Sequence, residues 1–199
     1  MTHENSITFI KDCIRKISET FSKNPDIYFC ESDLQSDLFA LLAEKLNKEV
    51  EIKNTFMWGT DKPKNLRKVS TRKLHSELLL PEGRIDLAVL DLDRTVFTVN
   101  ANGHNPGIRI KDGNHIFIEI KASRTSRSSI PSKNRWYKLI ISDIEKLNKY
   151  TNQCYMLCFD FSHILNEHEI SSIHDQANNN IEFHYIKNNN PVSYIDINN

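Results

Sequence analysis

The chain has 199 residues, of which 39% are hydrophobic, enough for one domain whose core needs no disulfide or metal staple. Its 26 basic and 26 acidic residues cancel, which argues against a generic nucleic-acid coat, and no apolar run approaches the ~18 residues of a membrane span. The segment Met1-Thr2-His3-Glu4-Asn5 lacks the basic and then apolar stretch of a signal peptide. Cysteines at 13, 30, 154 and 158 form neither a dense framework nor a CxxC pair, so reduced thiols in a cytoplasmic protein are expected.

Ile7, Ile10, Ile14, Ile17 and Phe21 step by three and four and predict an amphipathic first helix, stopped by Asn24-Pro25. A second helix is predicted from near Ser32, with Ser32 as its cap, Gln35 closing a capping box, and Leu34, Leu38, Leu41, Leu42 and Leu46 as its buried stripe. Strand-like segments follow at about 50–58, 72–80, 84–92, 95–100 and 115–122, with turns at Pro81-Glu82-Gly83 and Asp112-Gly113. The stretch from Asn100 to Gly107 is turn material between two of these strands. After a serine-rich basic loop, a helix is predicted from about Ser132 to Tyr150, with Trp136, Ile140, Ile144 and Leu147 on its apolar face. Tyr155 to Phe161 reads as a central buried strand. A short helix near 164–176 and strands near 181–187 and 192–197 close the domain, which spans 1–199 without repeat or linker.

Two strands carry charge where apolar residues are expected. Arg84-Ile85-Asp86-Leu87-Ala88-Val89-Leu90 holds one acid, and Ile116-Phe117-Ile118-Glu119-Ile120-Lys121 holds an acid and a lysine. Alternation puts Glu119 and Lys121 on one face, roughly 6–7 Å apart. Burying such groups costs several kcal/mol unless they pair or bind an ion. The order Asp, gap, Glu-x-Lys on consecutive strands resembles the PD-(D/E)xK nuclease superfamily, the restriction-endonuclease-like fold. The likeness covers residues 28–160. Two departures stand out: Ile85 occupies the place of the motif's proline, and the gap from Asp86 to Glu119 implies an insertion.

The resemblance implies an α/β fold with an αβββαβ core, a mixed central sheet flanked by helices, with an N-terminal helix and a C-terminal helix and strand added. It also implies a Mg²⁺-dependent endonuclease acting on DNA, with Mn²⁺ able to substitute. Magnesium prefers oxygen ligands and needs only one or two carboxylates, a role for Asp86 and Glu119, with the Ile120 carbonyl as a further ligand. Lys121 would orient the attacking water and stabilise developing charge. A buried ion pair of Lys121 with either acid, without chemistry, is the plainer alternative. Glu31, just ahead of the leucine stripe, matches a glutamate that many relatives aim at the metal. Its alternative is helix-dipole stabilisation, worth about 0.3–1 kcal/mol. Gln35, one turn later, either touches substrate or serves the capping box. Glu77 either neutralises Arg84 or adds a ligand.

Two basic runs carry no acid: Lys62, Lys64, Arg67, Lys68, Arg72 and Lys73, then Lys121, Arg124, Arg127, Lys133, Arg135 and Lys138. Positive charge beside a metal site suits a polyphosphate substrate, so Lys68, Arg72, Arg124, Arg127, Lys133 and Arg135 are candidate nucleic-acid contacts, against a reading as solvated loops. Asp143 and Lys146 read most simply as a surface i,i+3 pair, although the resemblance leaves open that Lys138 or Lys146 faces the site. His163, His168 and His174 share no ligand-spaced face. Recognition would come from a homodimer or a targeting partner protein, since no separate specificity domain is visible. The rival reading is a non-catalytic module of the same fold that binds nucleic acid or protein.

Overall fold

A computed structural model describes residues 2–52, 55–57, 69–99, 107–110, 113–124 and 130–189. Helix α1 (His3–Lys23) opens where the Thr2 hydroxyl accepts from the Asn5 N–H, and it buries Ile10, Ile14, Ile17 and Phe21 as its spacing requires. It ends where Pro25 starts a short 3₁₀ turn. Helix α2 (Glu31–Leu46) buries Leu34, Leu38, Leu42 and Leu46, while Leu41 is only partly covered.

The expected cap of α2 is corrected. Cys30, not Ser32, precedes the first helical residue, and the Asp33 carboxylate accepts from the N–H groups of Phe29 (2.6 Å) and Cys30 (3.2 Å). An ionised acid at the third helical position is the stronger acceptor there, which releases Gln35 from any capping duty.

The strands are β1 (Glu49–Ile52), β2 (Thr55–Met57), β3 (Val69–Arg72), β4 (Leu74–Leu80), β5 (Gly83–Val89), β6 (Thr95–Val99), β7 (Gly107–Ile110) and β8 (Ile116–Ala122). Helix α3 (Lys133–Leu147), β9 (Gln153–Asp160), α4 (Glu167–His174) and β10 (Ile181–Lys187) follow. Five of the strands form one mixed sheet in the order β10-β9-β8-β5-β4, antiparallel between β4, β5 and β8 and parallel from β8 to β10. The expected strand at 50–58 is divided between β1 and β2, and that at 72–80 is β4, with β3 a further strand just ahead of it. The strand expected over 84–92 stops at Val89, because Asp91 caps a 3₁₀ turn through its carboxylate. Between β5 and β8, β6 falls where a strand was expected at 95–100, the turn segment 100–106 lies outside the described residues, and β7 is a strand not expected there. In a separate three-stranded sheet β6 is the middle strand, parallel to β2 and antiparallel to β7, and β1 pairs with β3. The strand expected at 192–197 lies outside the described residues.

Two apolar layers clasp the main sheet. On one face α1 and α2 pack on Leu87, Val89, Ile116, Ile118, Ile120, Tyr155, Leu157 and Phe159. On the other, Trp136, Ile140, Ile144 and Leu147 of α3 and Ile173 of α4 cover Ala88, Phe117, Cys154, Met156 and Cys158. Each large side chain so buried contributes about 1.5–3 kcal/mol. The strict alternation along β8 is what aims its charged residues, because those between its core-facing isoleucines are turned toward α3. No helix of the described residues is long and apolar enough to cross a membrane. All four cysteines are free.

Candidate functional site

Asp86, Glu119 and Lys121 come together where β5 and β8 part. The ladder between these strands pairs Leu87–Val89 with Ile116–Ile118 and stops just before Asp86 and Glu119. There the Asp86 carboxylate takes over from the backbone, with its Oδ2 accepting from the Ile120 N–H at 2.8 Å. On the other side of β5, the β4 ladder skips the Glu77–Asp86 pair, and Glu77 adopts φ +54°. For a residue with a Cβ this left-handed backbone costs roughly 1–2 kcal/mol. The Asp86 carbonyl is satisfied instead by Gln35, whose Nε2 donates to it and to Glu77 Oε1, both at 2.9 Å. Gln35 therefore bridges α2 to both parted strands. Glu77 also meets Arg84 Nε at 2.6 Å, so of its two expected roles the structure displays the neutralising contact.

Glu119 and Lys121, on the α3 side of the sheet, meet two side chains from that helix. Lys146 Nζ lies 2.7 Å from Glu119 Oε1, 3.2 Å from Asp143 Oδ1 and 2.8 Å from the Arg84 carbonyl. Lys121 Nζ lies 3.1 Å from Asp143 Oδ2 and 3.4 Å from Glu31 Oε1. Glu31, the first residue of α2, also accepts from the Ala122 N–H at 3.4 Å. It is thus joined to the Glu-x-Lys strand rather than merely sitting in the helix dipole. Asp143 and Lys146 are not the surface pair that the sequence suggests, since their side chains are only 14% and 16% exposed. A signal was present: Asp143 falls three residues after Ile140 and four before Leu147, on the buried stripe of α3.

The electrostatics are unbalanced. Four carboxylates (Glu31, Asp86, Glu119, Asp143) face two ammonium groups, a formal excess of two negative charges. Burial pushes Glu119 up to about 8, with help from Asp86 and Asp143 and against the pull of Lys146. Burial likewise raises Asp86, opposed by the Ile120 N–H and Lys121, and raises Glu31, opposed by Lys121. Burial works against the charge on both lysines, but their acidic neighbours outweigh it. Asp143 and Glu31 hold Lys121 charged well above its ordinary range, and Glu119 raises Lys146.

Whether these groups suit a divalent cation is decided by their chemistry. Glu119 Oε1 and Asp143 Oδ2 are buried oxygens whose close partners among the described residues are the ammonium groups of Lys146 and Lys121. Among the described residues no three His, Cys, Asp or Glu side chains converge as a ready ligand group. Asp86 and Glu119 are hard oxygen donors of the kind and number magnesium accepts, and Lys146 already contacts Glu119.

The basic candidates divide. Arg124 sits one turn of chain beyond Lys121, its guanidinium 5.6 Å from the Phe161 ring. Arg135 is exposed in the first turn of α3. Lys133 is engaged by Glu169 at 2.5 Å, and Arg72 belongs to the β1–β3 pair instead of the main sheet. Lys68 and Arg127 lie outside the described residues. Behind Arg124, the buried Asp160 fixes the sheet end: it accepts from Ser123 Oγ and the Ser162 N–H at 3.0 Å, the Ile164 N–H at 2.6 Å and Tyr185 Oη at 2.5 Å. A groove of about 520 Å³ between α1 and β10, lined by Lys11, Arg15 and His184 among others, includes none of the acids above. No family model, curated protein or solved structure matches this chain.

Proposed function

We propose that the protein is a metal-dependent phosphodiesterase of the PD-(D/E)xK type that hydrolyses DNA. The observation that carries this reading is the convergence of Asp86, Glu119, Lys121 and Glu31 at the point where β5 and β8 part, where four acids gather about two lysines. The chain order α2, β4, β5, β8, α3, β9 supports the αβββαβ core, with β6 and β7 as the insertion. Asp86 and Glu119 would hold Mg²⁺ or Mn²⁺, assisted by the Ile120 carbonyl. Such an ion neutralises phosphoryl charge and acidifies water. The chain's own residues do the rest. Lys121, kept charged by Asp143 and Glu31, presents its ammonium to a phosphate oxygen and stabilises charge that builds up there. Gln35 and the Ile120 N–H hold Asp86 in place from its carbonyl and its carboxylate. Arg124 and Arg135 would take the flanking phosphates.

One observation favours a non-catalytic module of the same fold: Lys146 already occupies the Glu119 carboxylate. Supercoiled plasmid separates the two readings. With Mg²⁺ or Mn²⁺, the wild type is expected to nick or linearise it, and Asp86→Asn is expected to leave it supercoiled. A wild type inert on DNA and RNA with either metal makes the binding module the better account.

A further inference from the structure

We propose that Lys146 is a built-in counter-ion of the acid cluster, which holds Glu119 until a divalent cation takes that carboxylate and then withdraws onto Asp143. The inference rests on the metal-site reading above, and it assigns Lys146 a part different from that of Lys121.

The two lysines are held differently. Three oxygens surround the Lys146 ammonium within 3.2 Å, from Glu119, Asp143 and the Arg84 carbonyl, one for each of its three protons. Lys121 has two acidic partners, both more than 3 Å away. Lys146 is therefore coordinated as a small cation would be, while Lys121 keeps donor capacity in hand. The contact with Glu119 is close, and Lys146 is the one close partner of that buried oxygen among the described residues. Such a contact yields to a doubly charged ion.

The chain also provides the space and the alternative partner. Gly83, at φ +131°, lies under the Lys146 stem, and a Cβ there would stand 3.3 Å from Lys146 Cδ. The glycine at the β4–β5 turn thus leaves room for the stem to cross toward Glu119. Asp143, one turn earlier on the same helix, already touches the ammonium, so a small swing of a flexible four-carbon stem keeps it paired once Glu119 is surrendered.

Titration of Mn²⁺ alone into the whole protein, followed by calorimetry, tests this. Lys146→Met and Lys146→Gln should bind Mn²⁺ at least tenfold more tightly than the wild type, and Lys146→Arg, which keeps the charge, should bind within a few-fold of it. Without metal the two neutral variants should melt lower, since Glu119 loses its partner, and Mn²⁺ should raise their melting temperatures more than that of the wild type. This rescue keeps the test valid for a weakly folded variant. Wild-type binding with no gain in either neutral variant overturns the counter-ion role and leaves the metal site standing. No binding in any of the four proteins overturns both.

Discussion

Replacing Glu119 by glutamine should remove a large pH dependence from the stability of the metal-free protein. Glu119 is 1% exposed, and burial beside Asp86 and Asp143 moves it from an ordinary 4.5 to about 8. Between those values the folded protein holds a proton that the unfolded chain has released. Stability therefore falls as pH rises across this window, by up to about 1.4 kcal/mol per pH unit. The contribution is intact below 4.5 and is lost by about 8, in total roughly 5 kcal/mol, against about 5–15 kcal/mol for a whole domain. Glutamine keeps the shape and does not titrate. Urea denaturation in EDTA from pH 5 to 9 should show the variant gaining on the wild type steadily up to pH 8 and holding level beyond. Titrating groups away from the cluster are common to both proteins and cancel in the difference. Parallel profiles over the whole range would refute the electrostatic account of the cluster.

Gln35→Ala strands the Asp86 carbonyl and should cost about 1–3 kcal/mol, read by denaturant midpoint at constant slope. At Glu77, with φ +54°, glycine should be more stable than alanine by about 1 kcal/mol, the reverse of the usual strand preference, and equal stabilities would deny the backbone strain. Asp160→Ala removes the acceptor of four donors and should destabilise by about 3–5 kcal/mol, with a Tyr185→Phe variant affected much less. Replacing Arg124, Arg127 and Arg135 together by glutamine should weaken DNA binding and lower the salt slope by about 0.9 per lost phosphate contact. An unchanged slope returns these residues to ordinary surface.

Much of the fold was legible from residue patterns because burial enforces them. The stripes Ile10-Ile14-Ile17-Phe21 and Trp136-Ile140-Ile144-Leu147 are buried as their spacing requires, and the alternation around Glu119 did place it with Lys121 on one face. What escaped depends on contacts between segments distant in sequence. Gln35 looked like a capping residue because a box is a local pattern, whereas its partners lie 42 and 51 residues away. Asp143 and Lys146 looked like a solvent pair because i,i+3 charges usually are, and only the position of Asp143 on the apolar stripe argued otherwise. Strand β7 was missed because it is only four residues long and pairs with β6, outside the main sheet.

Single-turnover cleavage by the wild type and Lys121→Met, at saturating Mn²⁺ and with folding verified by melting, tests the central claim most directly. Methionine keeps the apolar stem and deletes only the charge that Asp143 and Glu31 maintain. The account predicts that the cleavage rate falls by orders of magnitude while DNA affinity changes little, because Lys121 acts on the transition state. Equal rates in the two proteins, or no cleavage by the wild type of supercoiled, linear or branched DNA or of RNA, would contradict it.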